Sequence, residues 1–295
     1  MSLWESGESS GIVSFADLFG GGEFKAAQCH DRTLREVAYL VCRGGWPQAV
    51  TQGGDAALEH AFRYNKAVCN VDISRVDGVK RDPMRVKRLM RSYARLQGTQ
   101  SNLSVIRADI AANSAETPDV DTVSSYLDAL RKIFVIEDMS AWSPKLRLKS
   151  VVRTSDTRYF IDPSIAVAAL GAGPNDLMND LATFGLLFET LVMRDLRTYA
   201  EALHGEVSHY HDASGLECDA IMHTRNGSYG LIEIKIGGET LVNAGAETLK
   251  KLAERIDVSR MNEPSFLMVV TATGDYAYRR KDDGVIVCPI SALRP

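Results

Sequence analysis

Three ionisable side chains lie inside apolar runs in the last third of the sequence. Glu233 and Lys235 interrupt the run 229–236, and Asp219 interrupts the run 218–222. Side chains two residues apart on a strand leave the same face, so Glu233 and Lys235 should point the same way. A buried charge without a partner costs roughly several kcal/mol, so we expect these residues to form a cluster. Carboxylates beside a lysine are suited to binding a divalent cation and a phosphate.

Phosphodiester cleavage is the chemistry that this cluster predicts. Asp219 and Glu233 are the expected ligands of Mg²⁺ or Mn²⁺, while Lys235 is expected to orient the attacking water and offset charge on the phosphate. The Asn-Gly pair at 226–227 is typical of a hairpin, which would bring the two carboxylates together. Glu189, on a preceding helix, is expected to support the cluster. An isolated Glu-x-Lys pair is more often a structural ion pair, and that alternative stays open.

Two further groups of residues could bind ligands, but their patterns are weaker. His209 and His211 are two apart on an expected strand, where they could hold zinc with Asp212 or His223, although an ordinary half-exposed strand is favoured. Glu217 is on the same expected strand face as Asp219 and could extend the acidic site, although a position at the solvent edge of that site is favoured. The sequence has no G-x-x-x-x-G-K-[ST] motif, so no ATP site of that kind is expected.

The composition is that of an ordinary globular protein. Of the 295 residues, 45% are hydrophobic and 24% are charged, and the net charge is −4. No apolar run approaches the roughly 20 residues that a membrane span needs, so no membrane partner is expected. The five cysteines are scattered and never spaced C-x-x-C, which favours a cytoplasmic protein without disulfides or a cysteine zinc site.

The elements that must position the cluster occupy residues 156–295. Hydrophobic periodicity predicts a short helix from Pro163 and a long helix over 177–203. Three strands, a helix and two strands follow. Their expected ranges are 206–211, 216–224, 229–236, 240–256, 264–271 and 285–288. Helix, three strands, helix and strand is the core order of restriction-endonuclease-like domains, so the predicted fold class is α/β with a mixed sheet.

Residues 79–155 are predicted to form a winged-helix domain. Three helices, starting near residues 82, 104 and 117, precede a two-stranded hairpin over 132–139 and 145–149. The segment from Arg75 to Arg107 contains nine Lys or Arg and two acidic residues, although the whole chain is slightly acidic. The residues expected to contact DNA are Arg85, Arg88, Arg91, Lys145 and Arg147. Winged helices are also common protein-docking modules, so that alternative stays open.

Six short motifs carry a resemblance to a known family. They are Leu3–Gly11 (LWESGESSG), Gly44–Pro47 (GGWP), Phe160–Ser164 (FIDPS), Gly185–Glu189 (GLLFE), Glu217–Asp219 (ECD) and Ile232–Lys235 (IEIK). With them the chain resembles, over essentially its whole length, the C-terminal part of a prokaryotic AAA-type ATP-binding protein family. In that family an ATPase domain precedes a domain of unknown function that contains a winged helix and a nuclease-like fold.

The resemblance has consequences for domain organisation and partners. The family's ATPase core is absent from these 295 residues, so the chain is expected to be a truncated form. Residues 1–78, with helices predicted over 31–43 and 55–70, are then a helical segment that follows the missing core. An ATPase domain or protein is an expected partner, and DNA is another.

The resemblance to PD-(D/E)xK nucleases is carried by Glu189, Asp219, Glu233 and Lys235. Cys218 stands where that pattern usually has proline, and the helix that follows the lysine lacks the Gln-x-x-x-Tyr of some helicase-linked relatives. Members of the ATP-binding family have no settled activity. The alternative to a nuclease is therefore a catalytically inactive module that docks protein or DNA beside an ATPase.

Overall fold

The protein is described by a computed structural model that covers residues 1–22, 24–29, 32–114, 117–142, 155–259 and 261–295. Within these residues the chain forms two compact units. The sheet unit is drawn from Met1–Val37, the described part of Ser140–Thr154, and Val192–Pro295. The helical unit is drawn from Ala38–Met139 and Ser155–Leu191. The sequence-based division at residues 78 and 155 stays a prediction.

The strands of the described residues are mostly in the second half of the chain. They are β1 (Val13–Ser14), β2 (Ala27–Gln28), β3 (Gly205–His211), β4 (Glu217–Thr224), β5 (Tyr229–Lys235), β6 (Phe266–Thr271), β7 (Tyr276–Arg279), β8 (Ile286–Pro289) and β9 (Leu293–Arg294). The strands predicted from periodicity over residues 206–288 are confirmed as β3, β4, β5, β6 and β8. The other four were not predicted.

The helices dominate the first half of the chain. They are α1 (Phe15–Phe19), α2 (Leu34–Arg43), α3 (Pro47–Thr51), α4 (Gly54–Ala67), α5 (Ile73–Arg75), α6 (Pro83–Arg95), α7 (Leu103–Ala112), α8 (Val120–Lys132), α9 (Pro163–Leu170), α10 (Pro174–Asn179), α11 (Leu181–Ala202) and α12 (Glu239–Arg255). A π-helical turn, Val68–Asp72, joins α4 to α5. Among the described residues no helix is long and apolar enough to cross a membrane.

A mixed seven-stranded sheet organises the described part of the sheet unit, in the order β2-β7-β8-β6-β5-β4-β3. Strands β3, β4 and β5 are antiparallel neighbours, whereas β5, β6 and β8 run parallel. Strand β7 is antiparallel to both of its neighbours. The expected order of helix, three strands, helix and strand is therefore present as α11-β3-β4-β5-α12-β6, and the α/β class with a mixed sheet is confirmed.

Helix α12 covers one face of this sheet. A parallel pair of strands needs a crossover connection, and α12 supplies it between β5 and β6. Leu249 and Leu252 of α12 are fully buried with Leu231 of β5 and Val269 of β6, and each such side chain contributes about 1.5–3 kcal/mol by burial. Because strand side chains alternate, the residues two and four beyond Leu231 also face α12.

The three helices predicted within residues 79–155 are confirmed as α6, α7 and α8. Each begins at a side chain that accepts a hydrogen bond from a first-turn amide: Asp82, Asn102 and Asp119. Such caps satisfy amides that have no partner within the helix and typically contribute about 1 kcal/mol.

The hairpin predicted after these helices is described only in its first strand. Helix α8 continues through Lys132, so the predicted start of the strand over 132–139 is wrong. Within the described part of the chain, its remaining residues make isolated bridges, from Ile136 to Phe160 and from Met139 to Thr157. The second predicted strand, 145–149, lies outside the described residues.

The long helix predicted over 177–203 is divided in two. Asp180 separates α10 from α11, and its carboxylate accepts hydrogen bonds from the Thr183 amide (3.1 Å) and hydroxyl (2.6 Å). An aspartate in this position caps a new helix instead of continuing the previous one. The short helix predicted from Pro163 is confirmed as α9, which ends at Gly171 in the left-handed conformation.

Candidate functional site

Asp219, Glu233 and Lys235 form one cluster of side chains in the sheet unit. Strands β4 and β5 pair with Ala220 opposite Ile232, which places the two carboxylates next to each other in the ladder. Lys235 Nζ lies 2.6 Å from Glu233 Oε2 and 3.1 Å from Asp219 Oδ2. The two carboxylates therefore converge on one ammonium group.

Asp219 is held by the backbone as well as by the lysine. The amide of Ile234 donates a hydrogen bond to Asp219 Oδ2 at 2.7 Å. Oxygen Oδ2 thus accepts one neutral and one charged donor, which fixes the orientation of the carboxylate. The side chains of Asp219 and Lys235 are 22% and 24% exposed, so the cluster opens to solvent on one side.

Burial and charge change the proton affinities in the cluster. Glu233 is 4% exposed, and burial together with the charge of Asp219 raises the pKa of Glu233 to about 8 against the attraction of Lys235. Burial also disfavours the charged form of Lys235, but the two carboxylates outweigh it and raise the pKa of the lysine. Two acids that share one base leave a net negative charge, which a cation or a proton can offset.

Gly245 allows α12 to lie directly over the cluster. A Cβ atom at Gly245 would lie 3.3 Å from Glu233 Cβ and 3.5 Å from Lys235 Cε. Gly245 was not predicted as part of the site, although a glycine in the middle of an amphipathic helix is a signal of close packing. Cys218, which replaces the expected proline, is buried, and burial raises the pKa of its thiol.

The described residues hold no group of three or more His, Cys, Asp or Glu side chains arranged as metal ligands. His211 Nε2 instead lies 3.1 Å from Glu217 Oε1, whose side chain is mostly exposed at the edge of β4. Asp212 forms an ion pair with Arg255 and accepts hydrogen bonds from Ser214. These contacts give His211 and Asp212 protein partners within the sheet unit.

Glu189 lies on the part of α11 that belongs to the helical unit. Its Oε1 accepts a hydrogen bond from the hydroxyl of Tyr159, which the sequence analysis did not single out. The role of Glu189 as a support of the carboxylate–lysine cluster stays a prediction.

The residues expected to contact DNA are in part described. Arg85, Arg88 and Arg91 recur every three residues along α6, and Arg85 and Arg91 are exposed. Lys145 and Arg147 lie outside the described residues.

Two of the motifs that carry the family resemblance bind each other within the helical unit. The Gly45 amide donates to Asp162 Oδ2 at 2.9 Å, and Trp46 Nε1 donates to Ser164 Oγ at 2.9 Å. Gly44 has a φ of 72°, and a Cβ there would overlap the side chains of Asp162 and Ser164. The GGWP and FIDPS motifs therefore have a structural role.

The N-terminal motif also has a structural role, in the sheet unit. The Leu3 amide donates to Asp195 Oδ2 at 2.9 Å, and Ser9 Oγ donates to the Leu293 carbonyl at 2.6 Å. These contacts tie the first residues to α11 and β9. Of the six motifs, ECD and IEIK are the pair whose charged side chains converge in one cluster.

Together these features define an α/β protein in which a mixed sheet carries two carboxylates and a lysine on adjacent strands. Residues 34–176 match the model of a domain of unknown function, DUF8612, and residues 184–293 match that of a second, DUF4143. DUF4143 typically occurs in proteins with AAA ATPase domains. No curated protein is significantly similar to the chain.

Proposed function

We propose that the chain is a metal-dependent nuclease whose catalytic domain, in residues 156–295, has a restriction-endonuclease-like fold. The observation that carries the proposal is the convergence of Asp219 and Glu233 on Lys235 Nζ at 3.1 and 2.6 Å. The order α11-β3-β4-β5-α12-β6 supports it, because β4 and β5 carry the PD-(D/E)xK residues in this order. DNA is the proposed substrate.

The donor set of the cluster fits Mg²⁺ or Mn²⁺. Mg²⁺ is usually held by one or two carboxylates together with water and substrate phosphate, so a third protein carboxylate is not required. Asp219 and Glu233 would bind the cation, and the Ile234 carbonyl is a further candidate ligand. A bound cation would supply a Lewis acid for the phosphate and a more acidic water.

The side chains of the cluster have distinct parts in the proposed reaction. Asp219 is oriented by the Ile234 amide, so its position is fixed before substrate binds. Lys235 would hold the attacking water and offset the negative charge that develops on the phosphate. Glu189 is proposed as a supporting residue.

The three helices α6, α7 and α8 are proposed as the core of a winged helix that positions DNA. Arg85, Arg88 and Arg91 of α6 would contact the phosphate backbone, together with Lys145 and Arg147. An AAA-type ATPase domain or protein is the proposed partner, because DUF4143 typically accompanies such domains.

A second candidate function is a catalytically inactive module that docks a protein. A groove in the sheet unit, at the ends of β5 and β6, favours this docking function. Thr271, which pairs with Lys235 in the sheet, lines the groove. The carboxylates of Glu239, Asp275 and Asp282 line it as well, and acidic side chains repel a phosphate backbone. Arg280 also lines the groove, and its guanidinium donates hydrogen bonds to the side chains of Asn243 and Asp283.

Cleavage of DNA by matched variants tests the proposal. We expect the wild type to cleave plasmid or oligonucleotide DNA with Mg²⁺ or Mn²⁺, and D219N and K235A to lose at least about a hundredfold in rate, since each removes charge stabilisation in the transition state. E217Q, at an exposed acid on the same strand, should cleave like the wild type. If the wild type is as inert as D219N and K235A with either cation, the docking function replaces the nuclease.

A further inference from the structure

Lys235 lies where a cation shared by the two carboxylates would be. Its ammonium is within hydrogen-bond distance of Asp219 Oδ2 and of Glu233 Oε2. Mg²⁺ and Mn²⁺ bind carboxylate oxygens at about 2.0–2.2 Å, which is closer than the ammonium approaches them. A divalent ion bound to the same two oxygens would therefore displace the ammonium, because the two positive charges would otherwise stand in contact.

The surroundings of Lys235 allow such a displacement. The lysine stem lies against Gly245 of α12, where a Cβ would be 3.5 Å from Lys235 Cε, so the glycine adds no side chain that the stem must pass. The side chain is 24% exposed, whereas that of Glu233 is 5% exposed. Lys235 can thus move toward solvent while Glu233 stays in place, since lysine stems commonly lie on apolar surface with the charge in water.

We infer that Lys235 acts as an exchangeable substitute for the cation: it holds Asp219 and Glu233 together without metal and is released when a divalent ion binds. The inference rests on the proposed function for the identity of the ion and adds a regulation of the same site. Metal binding and release of the lysine are coupled, so the ammonium becomes available to a phosphate only in the metal-bound protein. The lysine also competes with the ion, which lowers the metal affinity.

Mn²⁺ binding by variants at Lys235 tests the competition. We expect K235M, which keeps the length of the side chain but removes the charge, to bind Mn²⁺ at least about tenfold more tightly than the wild type by calorimetry at fixed pH. Without metal, K235M should melt at a lower temperature than the wild type, because two adjacent carboxylates then share no cation. Added Mn²⁺ should raise its melting temperature more than that of the wild type.

Three further variants are controls for the Mn²⁺ affinity of K235M. K235R keeps a charge and has a planar fork for two carboxylates, so it should bind Mn²⁺ no more tightly than the wild type. K251M, at an exposed lysine of α12, should bind like the wild type. The double variant D219N/K235M should lose the gain in affinity, which places the ion at the cluster. If K235M does not fold, K235Q, which also removes the charge, replaces it with the same expected gain in Mn²⁺ affinity.

The outcomes separate this inference from the nuclease proposal. Equal Mn²⁺ affinity of wild type and K235M overturns the competition, because the ion would then use other carboxylate oxygens. Higher affinity of K235R than of the wild type overturns it as well. Tighter binding by K235M together with no DNA cleavage by the wild type keeps the inference and rejects the nuclease. Absence of Mn²⁺ binding in both wild type and K235M rejects the inference and the metal site together.

Discussion

Glu233 is an acid that the fold keeps out of water beside another acid. Its side chain is 5% exposed, and its one described ion pair is with Lys235, which Asp219 shares. Burial and the nearby charge favour the protonated form in the folded chain, whereas the unfolded chain exposes the group to water. Proton binding by Glu233 and folding are therefore coupled.

The stability of the protein should fall with rising pH because of Glu233. Its pKa rises from 4.5 in the unfolded chain to about 8 in the folded one. The stabilisation by the bound proton is complete below pH 4.5 and is lost as the pH rises through 8. Between pH 5 and 9 we expect the free energy of unfolding of the wild type to decrease by roughly 4 kcal/mol relative to E233Q, measured by urea denaturation with a chelator.

An exposed acid on the neighbouring strand provides the control for this pH dependence. E217Q removes a carboxylate that is 63% exposed, so its stability should follow that of the wild type at each pH. If the free energies of unfolding of the wild type and E233Q change with pH in parallel, Glu233 does not bind an extra proton in the folded chain.

The sequence predicts the members of the cluster but not its contacts. Asp219, Glu233 and Lys235 are recognisable because each interrupts an apolar run, and the Asn-Gly turn fixes the pairing of β4 with β5. The bridge from Lys235 to both acids depends on side-chain rotamers and on the close approach of α12 at Gly245. Neither follows from spacing alone.

Phe134 ends α8 in a conformation that favours glycine. Its φ is 54°, and its side chain is 74% exposed. The Phe134 amide donates to the Arg131 carbonyl and the Val135 amide to the Leu130 carbonyl, each at 3.0 Å. These two bonds form a Schellman motif, in which the left-handed residue is usually glycine.

Replacing Phe134 by glycine should therefore stabilise the helical unit. The left-handed conformation costs a residue with a side chain about 1–2 kcal/mol, and the exposed ring recovers little by burial. We expect F134G to raise the free energy of unfolding by about 1 kcal/mol, since the more flexible unfolded chain offsets part of the gain. Chemical denaturation of both proteins measures the difference.

Gly171 provides the converse substitution. It ends α9 with a φ of 74°, and no atom lies within 4 Å of where its Cβ would be. G171A should lower the free energy of unfolding by about 1 kcal/mol, because it adds the same conformational cost without a steric clash.

The F134G prediction fails if that variant is less stable than the wild type. Such a loss would show that the ring of Phe134 makes a net favourable contribution at position 134.

The periodicity of the sequence predicts long elements better than short ones. Helix α12 and strands β5 and β6 are found close to their predicted bounds, because α12 buries one face along its length and the two strands are buried almost throughout. Strand β1 has two residues and pairs with β9 at the other end of the chain, so no local pattern indicates it. The division at Asp180 was missed because apolar spacing continues through a polar cap.

Charge is unevenly distributed along the chain. The net charge is −4, which gives the whole molecule no general attraction for DNA. The exposed side of α6 is nevertheless basic, whereas α8 begins with Asp119 and Asp121. In the proposed contact with DNA, the position of these charges favours α6 over α8 for binding the phosphate backbone.

Charge reversal on α6 tests this contact through its salt dependence. R85E/R88E/R91E should weaken binding to duplex DNA at least about tenfold at low salt. The magnitude of the slope of log affinity against log salt should fall by about three, because each lost phosphate contact removes about 0.9 from it. Fluorescence anisotropy at several salt concentrations measures both the affinity and the slope.

A second triple variant, R63E/R75E/K66E, is the control for overall charge. It reverses three exposed charges elsewhere in the helical unit and changes the net charge equally, so it should leave the slope nearly unchanged. An equal loss in both triple variants would assign the effect to overall charge. Unchanged binding by the α6 variant would favour docking of a protein by this unit.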